Sequence, residues 1–137
     1  MRATLTYHDT PPSANRNNGV GGRGDPRTIA RTKSKWQNIF IALLHDAGVP
    51  KNLRHVTARP RLEFKTRHRR DADNYYQPIS KPLGDAFVRG GWLPDDTPLY
   101  YKCERVEIIA GVAHHLPLVT SSLIIELEFL QNETTQE

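Results

Sequence analysis

The middle of the chain reads VTARPRLEFKT and then, without a break, RHRRDADN (residues 56–74). The first part predicts a β-strand with Leu62 and Phe64 on one face, because side chains alternate between the two faces of a strand. The second part places carboxylates beside concentrated positive charge. In an extended backbone Asp71 and Asp73 fall on the same side. The two carboxylates are therefore expected to converge just beyond the end of the strand.

Two interpretations of Asp71 and Asp73 follow from their chemistry. Mg²⁺ takes oxygen ligands and is usually held by one or two carboxylates, with water and substrate phosphate completing the shell. Alternatively, the acids cap the N-terminus of a helix, since Asp accepts hydrogen bonds from free N–H groups there. The interpretations are compatible, because a helix start also attracts phosphate.

Other segments predict the rest of a small domain. Residues 2–7 alternate polar and apolar side chains and predict a first strand. Residues 28–47 predict the longest helix, and its apolar residues recur at helical spacing: Trp36, Ile39, Phe40, Leu43 and Leu44. A second helix is expected between residues 74 and 88. It is predicted to start at Pro78 or Pro82, because proline suits the first turn of a helix and interrupts its interior.

The C-terminal half predicts two more strands. Residues 99–112 and 118–130 alternate in polarity and are most simply an antiparallel pair, joined by a solvated turn that contains His114 and His115. The element order predicts an α/β (α+β) fold with a small mixed sheet of about four strands and two main helices. One domain is expected over residues 1–130, with a flexible basic loop at 13–26 and a polar tail at 131–137.

Composition excludes several classes of protein. A length of 137 residues suits one domain with a real core. The single Cys103 cannot form an intramolecular disulfide or a cysteine-rich zinc site. No apolar stretch approaches a membrane span, and no signal-peptide pattern opens the chain. We therefore expect a soluble intracellular protein with no membrane partner.

The charge is distributed unevenly along the chain. Residues 1–70 hold 15 Lys and Arg against 4 Asp and Glu, a balance of +11, whereas residues 71–137 hold 4 against 11, a balance of −7. This polarity favours a polyanion that is bound by the first half and processed near the acids. The alternative is that the basic residues are ordinary solvated surface.

Phosphodiester hydrolysis with a metal ion also needs a positive group near the developing charge. Lys81 stands eight residues after Asp73, about two helical turns, so it is predicted to lie on the same helix face. It is otherwise a plain surface lysine. Asp85 follows Lys81 at the spacing of an i to i+4 ion pair, so it is expected to orient or neutralise Lys81.

Asp96 is a candidate third metal-binding acid. Alternatively, Asp95 and Asp96 form a solvated turn after Pro94, since Pro and Asp are common in turns. A helix of about fifteen residues would separate Asp96 from Asp71 by roughly 20 Å. Either the chain doubles back, or a symmetric partner subunit brings its own Asp95-Asp96 loop to the site. The sequence leaves both arrangements open.

Four segments in their order along the chain resemble the RusA family of Holliday junction resolvases. They are PPSANR (residues 11–16), RDADN (residues 70–74), Lys81 with Asp85, and GWLPDD (residues 91–96). The resemblance covers nearly the whole chain, from about Thr4 to Leu130. It implies a homodimeric, Mg²⁺-dependent endonuclease that makes paired cuts in four-way DNA junctions. It also implies a cytoplasmic, nucleoid-associated protein of bacterial or phage origin.

The family's functional residues carry over position by position. Asp71, Asp73 and Asp96 would be the catalytic, metal-binding acids, and Lys81 would be the essential lysine. The family typically has its lysine one turn after Asp-x-Asp-Asn, where this chain has Gln77, so an insertion of about four residues is implied here. Contacts to the DNA backbone are expected from four arginines: Arg16, Arg67, Arg69 and Arg70.

Three other readings compete with a junction resolvase. Glu63 and Lys65, with Asp46 upstream, resemble half of a restriction-type nuclease core, and a general metal-dependent nuclease would use them. A non-catalytic DNA-binding module would use the basic half alone and keep the aspartates as caps. A structural or protein-interaction protein would show no salt-sensitive DNA binding.

Overall fold

The computed structural model describes residues 1–16, 18–113 and 119–133. Its elements alternate between strand and helix up to residue 89, and the described residues beyond that point form only strands. In chain order they are β1 (Arg2–Tyr7), α1 (Pro26–Asp46), β2 (Leu53–Phe64), α2 (Asp73–Arg89), β3 (Tyr101–Cys103), β4 (Glu107–Ala110) and β5 (Ser121–Gln131). The predicted α+β class with two helices and a mixed sheet is confirmed. The described residues form five strands, because the segment 99–112 contains two short ones.

The central strand of the sheet is β2. It pairs antiparallel with β5 on one edge, and β5 pairs antiparallel with β1. On its other edge β2 pairs parallel with β3 and, further along, with β4. The predicted antiparallel pairing of residues 99–112 with 118–130 is therefore wrong, because β2 lies between them. A crossover helix makes parallel pairing possible, and α2 is that helix between β2 and β3.

One face of the sheet packs on both helices. Leu62 and Phe64 of β2 are buried in this core, as their alternation predicts. The helices contribute large apolar side chains from one stripe each: Trp36, Phe40 and Leu44 from α1, and Ile79, Leu83 and Phe87 from α2. The opposite face of the sheet carries ion pairs, such as Arg59 with Glu128 at 3.0 Å. Among the helices of the described ranges, none has both the length and the apolar character that crossing a membrane requires.

The second helix is continuous from Asp73 to Arg89, with Pro78 and Pro82 in its interior. The predicted start at either proline is therefore wrong. A proline inside a helix leaves the carbonyl four residues earlier without its usual N–H donor. For Pro78 that carbonyl belongs to Asn74, and it accepts a hydrogen bond from Ala14 N at 2.7 Å instead. A contact distant in sequence thus compensates for the proline.

Candidate active site

The hydrogen bond from Ala14 N to the Asn74 carbonyl brings two distant motifs together. Ala14 belongs to the segment PPSANR and Asn74 to the segment RDADN, about sixty positions apart in the chain. Because Pro78 leaves the Asn74 carbonyl available, the loop after β1 is held against the first turn of α2. The two segments form adjoining walls of one groove.

This groove, which we call the loop groove, has a volume of about 510 Å³. It brings Arg16, Arg69 and Arg70 together with Asp71, so it contains three of the four arginines predicted to contact DNA. The remaining lining residues are polar or aromatic: Ser13, Asn15, His68, Asn74 and Tyr75. The groove is open and dominated by positive charge, with a carboxylate at its edge.

Asp71 lies immediately ahead of α2 and is exposed. Its Oδ1 accepts a hydrogen bond from the backbone N–H of Asp73, the first residue of α2, at 3.0 Å. Asp71 thus satisfies one free N–H group at the helix start from one position ahead of Ala72, the N-cap residue, which makes no capping side-chain hydrogen bond. Its second oxygen has no partner in the described part of the chain. Asp73 is the first residue of α2, is exposed, and forms no ion pair among the described residues. Both carboxylates can therefore offer oxygen ligands to a cation, and this donor set suits Mg²⁺.

The predicted DNA-contact arginines differ in their surroundings. Arg70 donates from Nη1 to the carbonyls of Thr66 and His68, at 3.0 and 2.9 Å, and its guanidinium lies 3.7 Å from the centre of the Phe64 ring. It therefore holds the turn after β2 in shape. Arg67 does not line the loop groove. Its guanidinium packs against Gly111 instead. The structure therefore leaves Arg16 and Arg69 as the less constrained cations of the groove.

Two glycines of the basic loop, Gly19 and Gly22, pack tightly against the backbone of the segment PPSANR, which forms one wall of the loop groove. A Cβ atom at Gly19 would overlap the carbonyl oxygen of Ser13, and one at Gly22 would overlap that of Ala14. Hydrogen-bonded turns run along the segment, with Gly22 N donating to Gly19 O at 3.0 Å. The glycines of the basic loop are thus needed for close backbone approach.

A second groove, which we call the helix groove, runs along α2 and has a volume of about 590 Å³. Lys81 and Asp96 both line it, and so does Gln77 one turn before Lys81. The chain doubles back after α2, because Trp92 N and Leu93 N both donate to the Phe87 carbonyl. The Cβ atom of Asp96 then lies 3.3 Å from where a Cβ atom at Gly84 would be. Glycine at position 84 allows this approach.

The three predicted acids do not meet within one chain. Asp96 lies beside Gly84, eleven residues along α2 from Asp73, or about 16 Å at the rise of an α-helix. Within residues 1–16, 18–113 and 119–133, no three His, Cys, Asp or Glu side chains are grouped so that they could hold a metal ion. The structure therefore brings Lys81 and Asp96 together in the helix groove and places Asp71 in the loop groove. Ala72 has a helical backbone and Asp73 begins α2, so the extended segment that was expected to make Asp71 and Asp73 converge is not formed.

Asp85 does not pair with Lys81, so that prediction is wrong. Its carboxylate lies 3.0 Å from Lys33 Nζ and accepts a hydrogen bond from Gln37 Nε2 at 3.1 Å. Asp85 thus ties α2 to α1. Lys81 is exposed and forms no ion pair in the described part of the chain, so Asp85 does not neutralise it.

The wall of the helix groove contains two groups that the sequence did not indicate. Burial raises the pKa of the Tyr101 phenol well above its ordinary value and also raises the pKa of the Cys103 thiol, since an apolar surrounding disfavours the charged form. Tyr101 donates its O–H to the Ser80 carbonyl at 2.9 Å. Both side chains are therefore neutral at pH 7 and support the groove structurally.

Two residues of the competing nuclease core have structural positions of their own. Glu63 forms an ion pair with Arg61 at 3.2 Å, and Asp46 ends α1. His114 and His115 lie outside the described residues. No protein-family model matches the chain, and no curated protein matches it either. The resemblance to RusA therefore rests on the four quoted segments.

Proposed function

We propose that the chain is a Mg²⁺-dependent, structure-selective endodeoxyribonuclease that resolves four-way (Holliday) junctions by paired symmetric cleavage, in DNA recombination and repair. The observation that carries the proposal is the loop groove. It joins two RusA-like motifs through the contact between Ala14 and Asn74, and it places Asp71 beside Arg16 and Arg69. An open groove with cations along it and a carboxylate at its edge suits a phosphate backbone.

Asp71 and Asp73 are the residues that would hold magnesium. A bound Mg²⁺ supplies charge stabilisation at the phosphate and lowers the pKa of a water molecule. The chain itself orients the ligands, since the Asp73 N–H fixes Asp71 Oδ1. Arg16 and Arg69 would hold the flanking phosphates, because guanidinium groups bind phosphate through two parallel hydrogen bonds.

The third proposed acid, Asp96, requires a further argument, because it lies in the helix groove. Two copies related by a two-fold axis present two equivalent sites, as a junction cut on two opposed strands requires. A homodimer could also bring the Asp96 loop of one copy towards the loop groove of the other. We propose a homodimer in the bacterial or phage-infected cytoplasm, acting on nucleoid DNA.

A labelled four-way junction compared with a linear duplex of the same sequence tests the proposal. With Mg²⁺ we expect paired nicks near the crossover, and with chelator we expect binding without cleavage. Equal cutting of the duplex would indicate a general nuclease. Metal-independent binding without any cleavage would favour the second candidate, a non-catalytic DNA-binding module, which the basic first half of the chain would serve.

Lys81 is proposed to contact the phosphate or the attacking water, so Lys81→Gln is expected to slow cleavage. The single-turnover rate at saturating protein should fall on the order of 100-fold, because a positive group near the developing charge is lost. Junction affinity should change little. Gln77 lies one turn earlier in the same groove, so adding Gln77→Lys to Lys81→Gln tests whether that position can supply the cation.

Lys102→Gln is the matched control for this prediction. Lys102 lines the same groove, but its ammonium lies 3.5 Å from Glu104. The Lys102→Gln variant should therefore keep nearly the full single-turnover cleavage rate. Equal losses in the two variants would mean that general charge in the groove, not Lys81, supports the reaction.

A further inference from the structure

Three cations form a stripe along the exposed side of α1. Arg27, Arg31 and Lys35 are spaced four residues apart, and all three are exposed. Side chains at this spacing lie one above another on a helix. Between residues 27 and 45 the helix contains no acidic residue. We call these three residues the cation stripe.

No side chain of the cation stripe forms an ion pair in the described part of the chain, and the Asp25 carboxylate at the start of α1 accepts the backbone N–H of Arg27. The neighbouring Lys33 differs, because its ammonium lies 3.0 Å from Asp85. Lys33 therefore has a structural role between the helices. Like charges at i and i+4 weaken a helix. The cation stripe therefore slightly destabilises α1 and does not serve to stabilise the fold.

The cation stripe continues one wall of the candidate site. A third groove of about 420 Å³, next to the loop groove, is lined by Arg16, Arg23 and Asn74 among others. Asp25 then caps α1, accepting a hydrogen bond from Arg27 N at 3.1 Å. The backbone thus passes from the groove directly into the first turn of α1. In chain order Arg16 and Arg23 of this groove lead to Arg27 of the stripe, with the capping Asp25 between Arg23 and Arg27.

We infer that the cation stripe binds the sugar-phosphate backbone of a duplex arm that leads away from the cleavage point. This inference rests on the proposed function and adds a second area of contact to it. Arg27 and Lys35 are eight residues apart, or about 12 Å along the helix, which corresponds to roughly three to four base pairs of duplex. Contacts of this kind position the protein and carry no sequence information.

The surroundings of the stripe favour a polyanion over a membrane surface. A helix that lies on a membrane presents large apolar side chains beside its cations. The exposed neighbours on α1 are small or polar, as Ala30, Ser34 and Asn38 illustrate. Trp36, Phe40 and Leu44 of α1 are buried in the core, and the partly buried Ile39, Ile41 and Leu43 pack against it. Duplex DNA supplies the regularly spaced negative charge that three stacked cations complement.

The dependence of junction affinity on salt tests the inference. We compare the natural chain with the triple variant Arg27→Gln, Arg31→Gln, Lys35→Gln in chelator, where no cleavage interferes. Each phosphate contact contributes about 0.9 to the slope of log K against log salt. The triple variant should therefore lower the magnitude of the slope by roughly three.

A second triple variant, Arg54→Gln, Arg89→Gln, Arg105→Gln, removes the same net charge. These arginines are exposed and form no ion pair among the described residues. Arg54 lies at the start of β2 and Arg89 at the end of α2, so both are remote from the loop groove. The control should leave the slope within about one of the natural value. Equal melting temperatures of the two triple variants confirm that both are folded.

The kinetics separate arm binding from chemistry. At saturating protein the single-turnover rate of the stripe variant should stay within about threefold of the natural chain, while its half-saturating concentration rises at least tenfold. A slope equal to that of the control would overturn the inference, even if the natural protein cuts junctions. If the natural protein neither binds nor cuts DNA, the proposed function fails together with the inference.

Discussion

Asp71→Asn will lower the rate of junction cleavage on the order of 1,000-fold, because it removes a carboxylate proposed to hold magnesium beside the scissile phosphate. Junction binding should be unchanged or stronger, since a negative charge facing the DNA backbone is lost. Asp73→Asn is expected to behave in the same way. The measurement is single-turnover cleavage of a labelled junction at saturating protein, with binding measured separately in chelator.

The local structure should survive this substitution. Asp71 accepts the N–H of Asp73 at 3.0 Å ahead of α2, and asparagine accepts the same hydrogen bond about as well in a cap. The melting temperature should therefore change little. A loss of activity can then be attributed to the missing charge, because the start of α2 is retained.

Asp25→Asn is a control with nearly the same geometry. Asp25 is exposed and caps α1, accepting the N–H of the residue two positions later at 3.1 Å. It lies outside the residues that line the loop groove, so its substitution should leave the cleavage rate nearly unchanged. A double variant of Asp71 and Asp73 that keeps full activity would contradict the proposal, as would loss of fold and binding together.

Local periodicity was sufficient to predict the main elements. Trp36, Phe40 and Leu44 recur at helical spacing and are buried in α1, and Leu62 and Phe64 alternate into the core from β2. Each of these elements buries one apolar face in the core. The spacing of its apolar residues therefore predicts the element from a short window of sequence. Sheet pairing is different, because the alternating pattern of residues 99–112 suits pairing with residues 118–130, as predicted, and pairing with β2, as in the structure, equally well.

The errors at the candidate site have a common physical origin. Proline rules place a helix start at Pro78, yet Ala14 donates to the Asn74 carbonyl that Pro78 leaves unpaired. The i to i+4 rule predicts an ion pair between Asp85 and Lys81, yet Asp85 forms its ion pair with Lys33 of α1. In both cases a partner distant in the sequence replaces a local one. The same kind of contact joins the two motifs of the loop groove.

The segment that carries Asp96 is expected to depend on Trp92 for its stability. Trp92 is 1% exposed and donates from Nε1 to the Val49 carbonyl at 2.9 Å. Its ring lies under the Lys51 ammonium at 3.5 Å and contacts Phe87 edge-on. Trp92→Ala should lower the free energy of unfolding by about 3–5 kcal/mol, as truncation of a buried large aromatic does. Denaturant unfolding measures this loss.

Trp36 provides the matched comparison that separates ring volume from hydrogen bonding. It is also 1% exposed, but its buried Nε1 has no hydrogen-bond partner among the described residues. Replacement by phenylalanine removes similar volume at both positions, whereas only Trp92→Phe leaves the buried Val49 carbonyl unsatisfied. Trp92→Phe should therefore cost about 1–2 kcal/mol more than Trp36→Phe. Equal costs would mean that Trp92 acts only by filling space, and that the Val49 contact does not fix the chain leading to Asp96.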